Sequence, residues 1–479
     1  MAPSAGSPHS PLQQASTPVY RDVRFAGVML QVVLVVALVA VFGYLINNML
    51  TNLRASNIPL GWGFLDNSAG FEIAEGPAFD PTESYWQAFV TGVVNTVRVV
   101  FAGIVLATVI GLLAGIARLS SNWLVRTLAG IYVETIRNTP LLVQLFFWYF
   151  AVIMQLPDIR NHLSVGGVAF LSNRGVVLAW PALSATGRPW LIWLGAALVL
   201  GGTAWLLRRW QLRAQGRLGS GFAVGLVVFL VIAAVSYWIA DAQAQIPAGA
   251  TYELRRGDRG VLFVDADGDG EYTQRVDRPL PYVPITLLSA SGAALGTMET
   301  DGGGEYRFND LGEEGASLAW EAPPPLVFTL PAMQGFNITG GRTFSPEYTA
   351  LLLGLVLYTG AFIAEIVRGG INAVPKGQWE ASRAVGLSGG DTLRLVVLPQ
   401  ALRVIIPPLT SQYLNLAKNS SLAIAIGYPD LFNVSRTIIN QAGAAVQMIL
   451  VIMAAYLVIS LFTSLLMNIY NRRVALVER

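Results

Sequence analysis

Long apolar runs separated by short polar ones dominate the chain. A helix needs about 20 apolar residues to cross a bilayer, and runs of that kind fall at 25–48, 87–117, 126–156, 190–207, 221–240, 347–367, 404–426 and 444–468. They predict eight membrane-spanning helices in an α-helical polytopic membrane protein. Residues 241–345 break the rhythm. Short β-prone runs at 260–264, 283–288 and 305–308 alternate there with Gly, Asp and Pro turn signals, the pattern of a small β-sandwich. A Pro-rich stretch, EAPPP from Glu321, leads back to the membrane. The expected order is a tail at 1–24, five spans within 25–240, an inserted β-rich domain at 241–345, three spans within 346–470, and a tail at 471–479.

Composition agrees with a membrane protein. Charged residues make up 13% of the chain, against roughly 25% in soluble domains. The absence of cysteine excludes disulfides, zinc-thiolate sites and cysteine catalysis. Two histidines, His9 and His162, are too few for a histidine metal site, and a net charge of +2 gives no pull towards nucleic acid. The polar start and the long run after it argue against a cleaved secretory signal.

Loop charges give an orientation. Basic residues sit before the first span (Arg21, Arg24), between the second and third (Arg118, Arg126), and between the fourth and fifth (Arg208, Arg209, Arg213, Arg217). They recur after the sixth (Arg368, Lys376, Arg383, Arg394) and after the eighth (Arg472, Arg473, Arg479). The loop at 49–85 instead carries Asp66, Glu72, Glu75, Asp80 and Glu83 against Arg54. Both termini are therefore expected in the cytoplasm. The insertion, with 15 Asp/Glu and 7 Arg for a net of −8, is expected outside.

Within the insertion Asp265, Asp267, Asp269 and Gly270 match the opening of a calcium loop, whose alternate carboxylates converge on a hard cation. Val276 stands where an EF-hand needs its twelfth-position Glu, so a true EF-hand is excluded. A looser calcium turn and a solvated acidic turn both remain open.

The stretch GQWEASRAVGLSGGDTLRLVVLPQ, at 377–400, lies between two apolar runs. It predicts a short helix over 374–385 closed by Gly386, where a left-handed cap suits glycine. Ser388 and Asp391 have the spacing of a second helix start, and Leu398-Pro399 marks the step into the next span. Such a helix, corner and helix would present Glu380 and Arg383 to the cytoplasm. The plain alternative is a solvated loop.

Charges inside a bilayer usually face the bundle interior or water. Arg98, Glu365 and Lys418 qualify, although Arg98 and Glu365 also suit helix ends with snorkelling side chains. Gln412, Asn415, Lys418 and Asn419 share one helical face. That stripe could bind the carboxylate and ammonium of a zwitterion, or only hold helices together. Gly111 and Gly115 read as helix packing.

The stretch at 377–400 resembles the EAA loop of ABC importer permeases, E-A-A-x3-G-x9-I-x-L-P. Glu380, Ala381, Ser382, Gly386, Val396, Leu398 and Pro399 fall in register, with Ser382 and Val396 replacing the family's Ala and Ile. A second stretch, ETIRNTPLLVQ, carries Glu134, Arg137, Thr139 and Pro140. It resembles the signature of polar amino acid permeases of the histidine/glutamine type, with Asn138 for Gly. FIAEIVRGGINAVPKGQWEA and YLNLAKNSSLAIAIG are similar to the same family. The additional spans and insertion resemble the larger permease subunit of general L-amino acid importers, and the insertion itself resembles prealbumin-like or SD-repeat B-type sandwiches.

The resemblance implies a type I importer in a bacterial inner membrane. An ABC ATPase dimer binding ATP and Mg2+, a second homologous permease and a periplasmic amino-acid-binding protein would be its partners, and L-amino acids its substrates. The EAA loop, with Arg383 inside it, would dock on the ATPase. This chain would hold no cofactor beyond the candidate calcium, and would not itself be an enzyme. Its only lysines, Lys376 and Lys418, follow no G-x-x-x-x-G. A secondary transporter or channel would need no ATPase-docking loop, and a surface binding protein would need one anchor helix.

Overall fold

The computed structural model describes residues 23–55, 61–215, 221–242, 244–246, 250–255, 259–274, 276–288, 294–308, 317–334 and 337–474. His9, Arg21, Arg217, Arg479 and most of both predicted tails lie outside the described residues.

Among the described residues seven helices are long and apolar enough to cross a bilayer. In chain order the main helices are α1 (Val23–Ala55), α2 (Tyr85–Ala117), α3 (Trp123–Asn138), α4 (Leu141–Phe146), α5 (Gly187–Ala214) and α6 (Phe222–Ala242). After the strands come α7 (Pro346–Asn372), α8 (Lys376–Ala384), the single turn α9 (Gly389–Asp391), α10 (Leu398–Asn419), α11 (Leu431–Ala442) and α12 (Ala445–Val474).

The expected third span, 126–156, is not one helix. α3 and the helix over Leu141–Ile153 meet at a bend of 108°. Pro140 is the cause: it supplies no N–H and disfavours helical geometry at the residue before it. Thr139 is accordingly extended, with φ −105° and ψ 128°. Counting apolar residues saw a continuous run and overlooked this breaker.

The described residues fall into two compact units, one up to Val105 and again from Ile363, the other Leu106–Phe362. In the first, Phe64, Tyr85 and Phe89 share a core with Leu431, Val434 and Met448. Small residues set helix approach there. A Cβ on Gly92 would lie 3.1 Å from the Asp430 carbonyl, and one on Gly370 would lie 2.3 Å from the Ile405 side chain.

In the second unit, Leu145 fills the space over Gly354, and Tyr132 Oη donates to the Leu357 carbonyl at 2.8 Å. α5 and α6 pack closely, since a Cβ on Gly201 or Gly225 would come within 2.8 Å of the other's carbonyl oxygen.

The same unit carries strands that the expected boundaries missed. Residues 157–186, assigned above to the helical region, hold β1 (Leu163–Val165), β2 (Ala169–Ser172), β3 (Gly175–Leu178) and β4 (Trp180–Leu183). Beyond α6 follow β5 (Ala250–Arg255), β6 (Arg259–Val264), β7 (Arg278–Pro279), β8 (Pro284–Leu288), β9 (Ala294–Glu299), β10 (Glu305–Arg307) and β11 (Ser317–Trp320). Last come β12 (Leu326–Thr329), β13 (Ala332–Gln334), β14 (Asn337–Thr339) and β15 (Arg342–Phe344). Sheets β10-β6-β5 and β11-β8-β9 are antiparallel. Leu262 and Tyr306 from one share a core with Ile285, Leu287 and Leu318 from the other. β12 pairs with β4 and β15 with β3, across the chain from before α5 to after α6.

Candidate functional site

α8 is a short, exposed helix in which Ser382 alone is buried. The Ser382 hydroxyl donates to the Trp379 carbonyl at 2.9 Å, so a small polar side chain fits where the helix packs. Glu380, Ala381 and Arg383 are exposed, and Val385 is 76% exposed. The helix closes at Gly386, whose φ is +83°. The Gly386 N–H bonds the Arg383 carbonyl at 2.9 Å and the Leu387 N–H bonds the Ser382 carbonyl at 3.1 Å. That paired closure satisfies carbonyls at the helix end and favours a residue without a Cβ.

The chain then restarts. Ser388 Oγ accepts from the Asp391 N–H at 3.2 Å and donates to Asp391 Oδ2 at 2.7 Å. From Thr392 to Val397 the backbone is a π-helix, and α10 begins at Leu398 with Pro399 in its first turn.

α10 carries the polar stripe. Asn415 and Lys418 are exposed and Gln412 and Asn419 half-buried, whereas Tyr413, Leu416 and Ala417 on the other side are buried. The stripe therefore points away from the packing of its own unit. Glu365 is engaged by Arg368 one turn along α7, with Nε donating to Oε2 at 3.2 Å. Arg98 Nη2 lies 3.5 Å from Glu75 Oε1. Both charges thus have partners that account for them without a substrate.

At the opposite end of α10, past the 3-10 turn Ser420–Ile426, lies a polar seam that sequence reasoning missed. Asn95 Nδ2 donates to the Pro429 carbonyl at 3.0 Å and the Glu75 carbonyl at 2.9 Å. Tyr428 Oη donates to the Asn95 carbonyl at 3.3 Å, and the Leu431 N–H to Thr96 Oγ1 at 2.9 Å. Asp430 caps α11 by accepting from the Asn433 N–H at 2.8 Å. Its carboxyl is fully buried, and burial pushes its pKa up to about 7.

The ETIRNTPLLVQ stretch forms the bend after α3. Gln144 Nε2 donates to the carbonyls of Ile136 and Thr139, each at 2.9 Å, bridging the break. Thr139 Oγ1 donates to the Thr135 carbonyl at 2.9 Å, and Arg137 lies over the Phe362 ring. Arg118 Nη2 is 3.5 Å from Glu134 Oε1. The local geometry makes this motif a corner. Gln144, although quoted in the motif above, was not singled out as the residue that holds it.

In the acidic turn, ligand oxygens of Asp265, Asp267 and Asp269 lie within 4.8 Å of one another. Asp265 accepts from the N–H groups of Gly268 at 2.6 Å and Gly270 at 3.0 Å. Those bonds, Gly268 first, hold its carboxyl below the usual range.

Residues 317–476 match the family of binding-protein-dependent transport system inner membrane components. Over 94% of each chain, the sequence is 40% identical to a putative amino-acid ABC transporter permease protein, YhdX, of Escherichia coli strain K12. It is 38% identical to the general L-amino acid transport system permease protein AapQ of Rhizobium johnstonii, covering 96% of this chain and 94% of that one. A third relative, the glutamate/glutamine/aspartate/asparagine transport system permease protein BztB of Rhodobacter capsulatus, is 33% identical over 96% of each.

Proposed function

The chain belongs to the permease subunits of amino-acid ABC importers, and from that membership we propose how its parts divide the work: α8 and its glycine corner receive the ATPase, and the α10 stripe faces the amino acid. ATP hydrolysis in such importers resides in a separate subunit, so this chain supplies the path and not the catalysis. The membership also implies an extracytoplasmic binding protein and a second permease in the same inner membrane. We read that second permease as a different, homologous chain, and the cargo as general L-amino acids, after the name of the Rhizobium relative.

The observation that carries the coupling reading is the exposed face of α8. Glu380, Arg383 and Val385 stand clear of the packed core on a helix whose end is fixed by the Gly386 closure. Charge reversal at Glu380, or Gly386→Val, is expected to leave hydrolysis running while uptake of a labelled L-amino-acid mixture falls at least tenfold in proteoliposomes. Uptake that persists with the ATPase subunit omitted would overturn the importer reading.

For the path, a membrane-crossing helix that turns polar groups away from its own unit needs water or a partner to cover them, because lipid cannot. Gln412, Asn415, Lys418 and Asn419 are our candidates for contact with the substrate's carboxylate and ammonium. Glu365 is a weaker candidate because Arg368 already engages it. We assign Glu134, Arg137, Thr139 and Pro140 to shaping the corner.

We place both termini in the cytoplasm and the β-strands outside. The support is the loop-charge pattern, together with an even span count when the bent pair is counted as one. The β-rich region at 241–345, with a net charge of −8, is read as a brace or guide for the binding protein. Its 265–269 turn suits a hard cation by its three converging carboxylates. Deleting 250–322 removes β5 to β11 and leaves the β4–β12 and β3–β15 pairs. Weaker binding-protein affinity is expected, and unchanged affinity and transport would sink the brace. Millimolar calcium should raise the melting temperature of the intact chain and not of the deletion variant. Equal curves would remove the metal.

A further inference from the structure

The backbone between the coupling helix and α10 is not regular. Over Thr392–Val397 the turns widen to a π-helix, and the Leu398 N–H bonds the Leu393 carbonyl five residues back. Pro399 gives a physical reason. It has no N–H to offer the carbonyl four residues earlier, and its ring crowds that carbonyl in α geometry, so a wider turn relieves both. Short π segments inside helices are often sites of functional adjustment. A widened turn can also absorb a displacement rather than pass it on.

One side chain bridges this joint. Gln400 Nε2 donates to the Val396 carbonyl at 3.0 Å and to Gln378 Oε1 on α8 at 3.2 Å. The direction of both bonds follows from Val396, whose carbonyl can only accept, so the atom facing it is the amide nitrogen. Gln378 must then present its oxygen. Gln378 is exposed and Gln400 half-buried, so neither is a core residue kept for packing.

We propose that Gln400 is the positioning residue of the coupling step: its amide ties α8 to the first turn of α10, so that displacement of the coupling helix moves α10 instead of being taken up by the π-helical joint. The tie acts through α8 and touches no substrate. It rests on the reading of α8 and Gly386 as the ATPase-facing element. It goes beyond that reading by naming the link from α8 to the helix that bears Gln412, Asn415 and Lys418.

The test uses the complete importer in proteoliposomes, with ATPase, second permease and binding protein. Gln400→Leu removes the donor, Gln378→Lys sets a donor against a donor, and Gln378→Glu keeps an acceptor. Gln378 lies in the first turn of α8, where the helix dipole favours Glu over Lys by about 0.3–1 kcal/mol. Both variants are therefore also compared in melting temperature, and the tie is read only from uptake per ATP in complexes that retain the ATPase subunit. Gln400→Leu and Gln378→Lys should retain the ATPase subunit on purification and hydrolyse ATP within twofold of wild type. Their uptake of a labelled L-amino-acid mixture per ATP should fall at least tenfold, while Gln378→Glu stays within twofold.

Equal behaviour of Gln378→Lys and Gln378→Glu would overturn the tie, and if Gln400→Leu fails to assemble that pair decides alone. Glu380→Lys is the control. If it uncouples while the glutamine variants do not, the tie is wrong and the docking element stands. If it is also silent, the docking element falls and the tie with it.

Discussion

The two ends of α10 are built in opposite ways. At Leu398 the helix emerges from a π-helical stretch, packs through apolar Val397, Ala401 and Ile405, and has a polar tie to α8 in the Gln400 amide. Past Asn419 the chain runs into a polar seam, where the Pro429 carbonyl and the Leu431 N–H bond the side chains of Asn95 and Thr96 of α2, and the Tyr428 hydroxyl bonds the Asn95 carbonyl. Gly92 lets α2 approach there, and a Cβ on Gly76 would lie 2.0 Å from Asn95 Oδ1, so the loop at 61–84 closes over the same residue. A single side-chain tie across a wide turn can be displaced at modest cost. Several buried bonds to main-chain groups cannot, because each group left unpaired loses its desolvation energy. If α8 is the ATPase-facing element, as proposed, the movable end of α10 lies on that side and the anchored end on the other.

The largest expected effect comes from breaking the anchored end. Asn95→Leu removes a fully buried side-chain amide and leaves the part-buried carbonyls of Pro429 and Glu75 without their donor, at up to about 1–3 kcal/mol for each. The purified variant should melt clearly below wild type. Gln400→Leu should melt close to it, because changes away from buried networks usually stay within about 0.5 kcal/mol. Similar melting losses in the two variants would erase the contrast between the ends.

Much of the movable end was legible in the sequence because it depends on residues with special backbones. Gly386 stands at φ +83° where the helix closes, and Ser388 caps the next turn. Such positions show as Gly, Ser and Pro at fixed offsets. The anchored end was not legible. Asn95 and Thr96 look like two polar residues in an apolar run, and their partners on Pro429 and Leu431 lie more than 330 positions away. Gln400 was hidden for a related reason, since its partner on α8 is 22 residues back. The bend at Pro140 could have been read, but a search for apolar length is blind to a breaker inside the run. The pairing of β3 with β15 and β4 with β12 is set by tertiary contact across an intervening hairpin, and no local pattern announces it. What escaped were the polar ties.

A smaller, pH-dependent effect sharpens the same comparison. Asp430 caps α11 at the anchored end, and burial raises its pKa from 3.8 to about 7. In the folded protein the carboxyl therefore prefers its proton, and the sign follows from linkage. Its contribution to stability is fully present below pH 3.8 and is lost as pH rises through about 7. Between roughly pH 6 and pH 8 the loss should be about 1.4 kcal/mol, one pKa unit's worth of free energy. Few other groups titrate in that window, since the chain has two histidines and no cysteine. The wild-type protein should thus melt at a lower temperature at pH 8 than at pH 6. Asp430→Asn keeps a side-chain oxygen for the Asn433 N–H and cannot ionise, so its curve should flatten over the same range. Gln400→Leu, altered only at the movable end, should retain the full wild-type slope. If Asp430→Asn keeps that slope as well, the proton is bound elsewhere and Asp430 adds nothing pH-dependent to the anchored end.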